Sequence, residues 1–104
     1  MFRACEMTAA CLEACGYTVG VYTSPHLIDI RERVRINRRN IGEEAFVRCG
    51  QRVADAAANL TEQDGTPTFF ELITALAFVH FAEQAVDVAV IETGLGGRLD
   101  STNI

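Results

Sequence analysis

Asp87-Val-Ala-Val-Ile-Glu-Thr-Gly-Leu-Gly-Gly97 is an apolar run that stops abruptly at a carboxylate and a glycine-rich loop. From Asp87 to Ile91 both alternating faces are apolar, the pattern of a strand in a parallel sheet covered on both sides. This stretch predicts an α/β fold with Glu92 at the carboxyl end of the strand. In open α/β sheets the strand ends border the ligand crevice, because the loops there are free of the packing that holds the strands. Glu92 is therefore the first candidate site residue.

A second core strand is read at Thr18-Val-Gly-Val-Tyr-Thr23. Good helix formers run before it from about Arg3 to Cys15, and Gly16 follows where a left-handed cap is wanted. After the strand, Pro25 forbids further pairing and holds Ser24 extended, which puts Ser24 on a turn at the strand end. Ser24 and Glu92 thus take equivalent places on two strands. If those strands are neighbours, both oxygens reach one crevice.

Between the two strands, residues 28 to 41 alternate apolar with charged side chains, as in Arg31-Glu-Arg-Val-Arg-Ile-Asn37, and suit a loop with one or two short edge strands. The arginines read most simply as a solvated edge that resists aggregation. Glu43 to about Leu60 has the amphipathic helical pattern, with nothing in it that suggests chemistry, and Thr61 to Pro67 is a loop. Thr68-Phe-Phe-Glu71 fits a capping box and opens the most apolar helix, Phe69 to about Gln84. That helix needs cover nearly all round. With two convincing core strands, a sheet is marginal by itself. Part of the domain, or a partner chain, is expected to supply the rest.

At 104 residues the chain is at most one domain, and its 49 % apolar and 22 % charged residues mark a globular class. A formal charge of −5 argues against general nucleic-acid or membrane-surface binding, which needs a basic surface. No apolar run approaches the roughly 18 residues of a membrane span, and the N-terminus has no signal-peptide core, so the expected location is the cytoplasm. All nine cations are arginines. Cys5, Cys11, Cys15 and Cys49 form no C-x-x-C pair and are not spaced with His26 or His80 as zinc ligands would be, so buried reduced thiols are expected.

A hydroxyl and a carboxylate at two strand ends are a reasonable oxygen set for Mg²⁺, which keeps several waters and takes one or two protein ligands beside phosphate. Simpler roles stand beside this one: Ser24 as a turn cap, and Glu92 paired with Arg98. Gly94-Leu-Gly-Gly97 suits a tight turn better than a phosphate nest, since neither a dinucleotide nor a Walker pattern is present. Phe69 and Phe70 suit core packing better than ligand stacking. His26 suits an orienting hydrogen bond or simple exposure better than a base.

Taken together, Gly16-Tyr-Thr-Val-Gly-Val-Tyr-Thr-Ser-Pro-His-Leu27, Arg31-Glu-Arg-Val-Arg-Ile-Asn37, Thr68-Phe-Phe-Glu71 and Ile91-Glu-Thr-Gly-Leu-Gly-Gly-Arg-Leu-Asp-Ser-Thr-Asn-Ile104 resemble the bifunctional dihydrofolate synthase/folylpolyglutamate synthase family of the Mur ligase superfamily. Their order and spacing run nearly the whole length of the chain. The combination is specific although each piece alone is weak.

The resemblance implies a partial three-layer, parallel-sheet nucleotide-binding domain of the Mur ligase type over residues 1–104, truncated at both ends and without the C-terminal glutamate-ligase domain. It implies an ATP-dependent amide ligase in which a carboxylate of dihydropteroate or tetrahydrofolate is activated as an acyl phosphate and attacked by L-glutamate. By matching positions, Ser24 and Glu92 correspond to Mg²⁺ ligands. Thr68, Phe69, Phe70 and Glu71, with Leu99, Asp100 and Ser101, correspond to segments lining a pterin pocket.

In this family a lysine-bearing phosphate loop stands where the chain has Met1-Phe-Arg-Ala-Cys-Glu6, so no ATP-binding or catalytic residue is assigned, and the chain alone is expected to be inactive. A cell-wall Mur ligase is a close variant, and a degenerate fragment without function is another possibility. The alternative from another class is a non-catalytic module that binds a pterin or a partner without ATPase activity.

Overall fold

A computed structural model describes residues 3–23, 30–61 and 63–92. In chain order the elements are α1 (Arg3–Ala14), β1 (Val19–Thr23), a 3-10 turn (Ile30–Arg33), β2 (Val34–Ile36), β3 (Arg39–Asn40), α2 (Glu43–Ala57), α3 (Phe69–Glu83) and β4 (Val88–Glu92). The sheet order is β3-β2-β1-β4. One face of the sheet is covered by α1, and the other by α3 with α2 against it.

Helix α1 ends as its glycine predicts. Gly16 has φ +96°, its N–H donates to Glu13 O, and the N–H of Tyr17 reaches back to Leu12 O. These two bonds close a Schellman cap, which satisfies carbonyls that the helix end leaves free. The chain then turns directly into β1, and Cys5, Ala9 and Leu12 of α1 pack on Val19, Val21 and Val90.

Strands β1 and β4 pair in parallel, as expected, with Val19 opposite Val88 and Thr23 opposite Glu92. Asp87 fixes where both begin. Its Oδ2 accepts from the Thr18 N–H at 2.8 Å, and its own N–H donates to Thr18 O at 2.8 Å.

The sheet as a whole is mixed rather than parallel. Residues 34 to 40 fold into an antiparallel hairpin that adds two strands on the outer side of β1. The turn has positive φ at both central residues, Asn37 at 48° and Arg38 at 72°, the geometry that matches the twist of a two-residue hairpin. Asn37 favours this conformation and ties the hairpin to β1, since its Oδ1 accepts from the Val19 N–H at 2.9 Å.

Side-chain alternation sorts the two cores. Tyr22, Val34 and Ile91 face α3 and join Ile41, Cys49, Val53, Ile73, Leu76, Ala77 and Phe81 in the larger cluster. Val19, Val21 and Val90 face α1. Helix α3 is covered on two sides, by the sheet and by α2. Its third side, with Leu72, Ala75 and Val79, lines an open apolar groove of about 360 Å³ shared with Val53 and Leu60 of the α2 side. Among the described residues β4 pairs on one side only.

The thiols divide. Cys5 and Cys49 are buried as expected, whereas Cys11 and Cys15 are exposed, because the face of α1 that meets the sheet carries Cys5, Ala9 and Leu12; all four are free. The arginines of the edge are not all solvated. Arg35 pairs with Glu6 and Arg38 with Glu13, so the hairpin is tied to α1, and Arg31 lies 3.9 Å from Glu43 at the start of α2.

Candidate functional site at the carboxyl ends of β1 and β4

Glu92 is the last residue of β4, directly opposite Thr23, the last residue of β1. Alternation along β4 puts Glu92 on the same face as Val90, under α1. Its neighbour there is Cys5, a buried thiol whose pKa is pushed up to about 11, first by burial and then by the nearby Glu92 carboxylate. That thiol is protonated throughout the physiological range. Oε1 of Glu92 is buried and has no hydrogen-bond partner among the described residues. A buried acceptor left in that state costs roughly 1–3 kcal/mol, more when charged. An incoming donor or cation would remove the penalty, so Glu92 fits the requirement for one ligand of a hard cation. Among the described residues no cluster of three or more His, Cys, Asp or Glu side chains would hold a metal by itself.

Ser24, Pro25, His26, the loop Gly94 to Gly97, Arg98, Leu99, Asp100 and Ser101 lie outside the described residues. Ser24 follows Thr23 directly in the chain.

The opening of α3 belongs to the same end of the sheet. Tyr22, next to the end of β1, touches the first turns of α3 through Phe70 and Thr74, while Gly20 further back lies against Phe81 near the end of the helix. Helix α3 therefore runs antiparallel to β1, and its N-terminus stands where the strands finish.

The capping box forms as read: Thr68 N–H donates to Glu71 Oε1 at 2.8 Å and Glu71 N–H donates to Thr68 Oγ1 at 3.1 Å. Glu71 also borders the groove between α2 and α3. The two phenylalanines part company. Phe70 is half-buried, with its ring 6.3 Å from that of Tyr22, whereas Phe69 is 61 % exposed and is no part of the core. An exposed aromatic beside a strand end is available to a planar ligand.

Away from this end, Glu83 joins the two helices of the outer layer. Arg52 Nη1 donates to it at 2.6 Å and Arg48 Nη2 at 3.0 Å. These bonds hold its carboxyl below the usual carboxylate range, with Arg52 the larger cause and Arg48 the next. His80 is buried nearby with Nδ1 unpartnered among the described residues, and burial lowers its pKa.

Sequence reasoning missed Tyr22, Thr74 and Cys5. The available signal was a hydroxyl in an otherwise apolar helical stretch, Leu72 to Val79. Nothing in the sequence distinguished Cys5 from the other thiols.

No family model matches the chain. A folylpolyglutamate synthase of Arabidopsis thaliana is 46% identical over 106 residues, covering 96% of this chain. The crystal structure of folylpolyglutamate synthase from Thermotoga maritima superposes with a TM-score of 0.85 at 47% identity, covering 93% of this chain. That of Mycobacterium tuberculosis folylpolyglutamate synthase, complexed with ADP, superposes with a TM-score of 0.87 at 37% identity over 94% of this chain. E. coli FolC, in complex with DHPP and ADP, is 40% identical with a TM-score of 0.78 over 88% of it. The chain spans 16% of the Arabidopsis relative and 23% of the Thermotoga one.

The fold over this segment is thus that of a class of synthases, represented by the solved structures above. Within it, the chain belongs over this segment to the folylpolyglutamate synthase family.

Proposed function

We propose that this chain forms part of an ATP-dependent amide ligase that joins L-glutamate to dihydropteroate or tetrahydrofolate through an acyl phosphate. The observation that carries the reading is Glu92 at the carboxyl end of β4, opposite Thr23, with a buried oxygen that has no partner among the described residues. Ser24 and Glu92 would hold Mg²⁺, which when bound supplies charge neutralisation between phosphate and acyl oxygens.

The chain's own residues do the positioning. Glu92 would supply the carboxylate at the end of β4, with the protonated Cys5 thiol beside it under α1. Phe69 and Phe70, with Thr68, Glu71, Leu99, Asp100 and Ser101, would line the pterin end. Phe69 offers a ring face, and the Thr68–Glu71 box fixes the turn that carries it. As a partial Mur-type ATP-binding domain over residues 1–104, the chain contributes these groups and no lysine. We place it in the cytoplasm; among the described residues no helix is long and apolar enough to cross a membrane.

The test is ATP hydrolysis by the native protein isolated from its own cells. Turnover that requires both L-glutamate and dihydropteroate or tetrahydrofolate supports the ligase. Pteroate binding by calorimetry with no ATP turnover would support the non-catalytic pterin-binding module in its place.

A further inference from the structure

Thr74 is a buried polar residue in the apolar helix α3, 4 % exposed. Its hydroxyl donates to the Phe70 carbonyl one turn earlier at 2.8 Å and lies 2.9 Å from the Tyr22 hydroxyl. A threonine hydroxyl has one proton, and that proton is committed to Phe70. The Tyr22 hydroxyl is therefore the donor to Thr74 Oγ1. The result is a directed relay from Tyr22 through Thr74 to the Phe70 carbonyl.

Packing alone does not require it. Phenylalanine and valine would fill the same two places, and a hydroxyl taken into a core is unfavourable unless bonded. What the hydroxyls add is direction. A threonine that bonds the carbonyl four residues back competes with the helical ladder and bends the turn it touches. Tyr22 is fully buried and stands two residues before Ser24, while Phe70 lies between Phe69 and Glu71. The relay thus spans from the end of β1 to the first turn of α3.

We propose that Thr74 is a positioning residue that, with Tyr22, sets the placement of Phe69, Phe70 and Glu71 relative to the carboxyl end of β1, and through it the fit of a pterin ring. The ligand rests on the function proposed above. The placement does not.

The experiment uses the whole 104-residue chain with Thr74→Val, Thr74→Ser, Tyr22→Phe and the double variant Tyr22→Phe/Thr74→Val. Two quantities are read: the NMR ring signals of Phe69 and Phe70, and the affinity for pteroate by fluorescence titration. Thr74→Val is expected to move the ring signals and weaken pteroate binding by about three- to tenfold, the scale of one neutral hydrogen bond. Thr74→Ser, which keeps the donor, restores both. Tyr22→Phe matches Thr74→Val, and the double variant goes no further than either. Unmoved ring signals in Thr74→Val, or a serine variant that behaves like valine, overturn the positioning role. If the unsubstituted chain binds no pteroate, the substrate reading falls, and the ring signals alone decide the relay.

Discussion

The ring of Phe81 occupies the space where Gly20 would carry a Cβ. An added methyl would stand 2.8 Å from Phe81 Cδ1 and Cε1 and 3.0 Å from Cγ. Real Cβ atoms do not approach so closely, and both neighbours are anchored, one in the central strand and one in the buried face of α3. Gly20→Ala is expected to destabilise the chain by about 1–3 kcal/mol, as overpacking does. Denaturant unfolding measures the loss, and Phe81→Leu in the same chain should recover part of it. A Gly20→Ala variant as stable as the original would mean that the ring yields freely.

Helix α3 ends on a Schellman cap like that of α1, with Val86 N–H bonded to Phe81 O and Ala85 N–H to Ala82 O. Here the left-handed position holds Ala85 at φ 52° rather than glycine. For an L-residue that conformation costs roughly 1–2 kcal/mol, offset in part by the lower entropy of the unfolded alanine. Ala85→Gly should therefore raise stability by about 1 kcal/mol, seen as a melting temperature higher by about 4–8 °C for a domain of this size.

Glu92→Gln removes the charge and keeps the shape. Without added metal the variant should be at least as stable as the original chain, since a buried amide oxygen without a partner costs less than a carboxylate oxygen in the same place. Mg²⁺ should stabilise the original chain alone, by about 2.7 kcal/mol at a concentration 100 times its dissociation constant. Thermal melts with and without Mg²⁺ make the comparison. An equal Mg²⁺ shift in both proteins removes Glu92 from the ligand set.

Glu83 predicts an acid limb. Its folded-state pKa lies below the ordinary 4.5 because Arg52 and Arg48 favour the carboxylate. A depressed carboxyl pKa gives stability that is fully present above the unfolded value and is lost as pH falls through the folded one. Glu83→Gln should accordingly be less stable than the original at pH 7, and the difference should shrink below pH 4.5 as the carboxyl takes up its proton. A constant difference across that range would mean that the ion pairs contribute nothing.

Much of this was legible in the residues because local rules agreed with the global arrangement. Gly16 announced the end of α1, Thr68 and Glu71 announced the start of α3, and the unbroken apolar run to Ile91 put Glu92 at a strand end. The parallel core pair and the presence of short edge strands between residues 28 and 41 were legible; the antiparallel pairing of those edge strands was not. A two-residue turn at Asn37 and Arg38 lacks the glycine that marks such hairpins, so residues 34 to 40 read as a loop with edge strands rather than as half of the sheet. The arginine pairs were hidden for another reason. Arg35 meets Glu6 across 29 residues, and no spacing in one dimension marks such a contact. The same holds for Tyr22 and Thr74, which are 52 residues apart.

The bonds between Asp87 and Thr18 make the two parallel strands a matched pair of spacers. Both start from one clasp, both are five residues long, and both finish level at Thr23 and Glu92. One residue gained or lost within either strand would displace its end by about 3.3 Å and turn every later side chain to the opposite face. In β4 such a change would turn Glu92 toward α3 and away from Cys5. Length changes in related sequences are thus expected in the Thr61 to Pro67 connection and in the hairpin turn, and excluded from the strands, however tolerant those strands are of exchanging one apolar side chain for another.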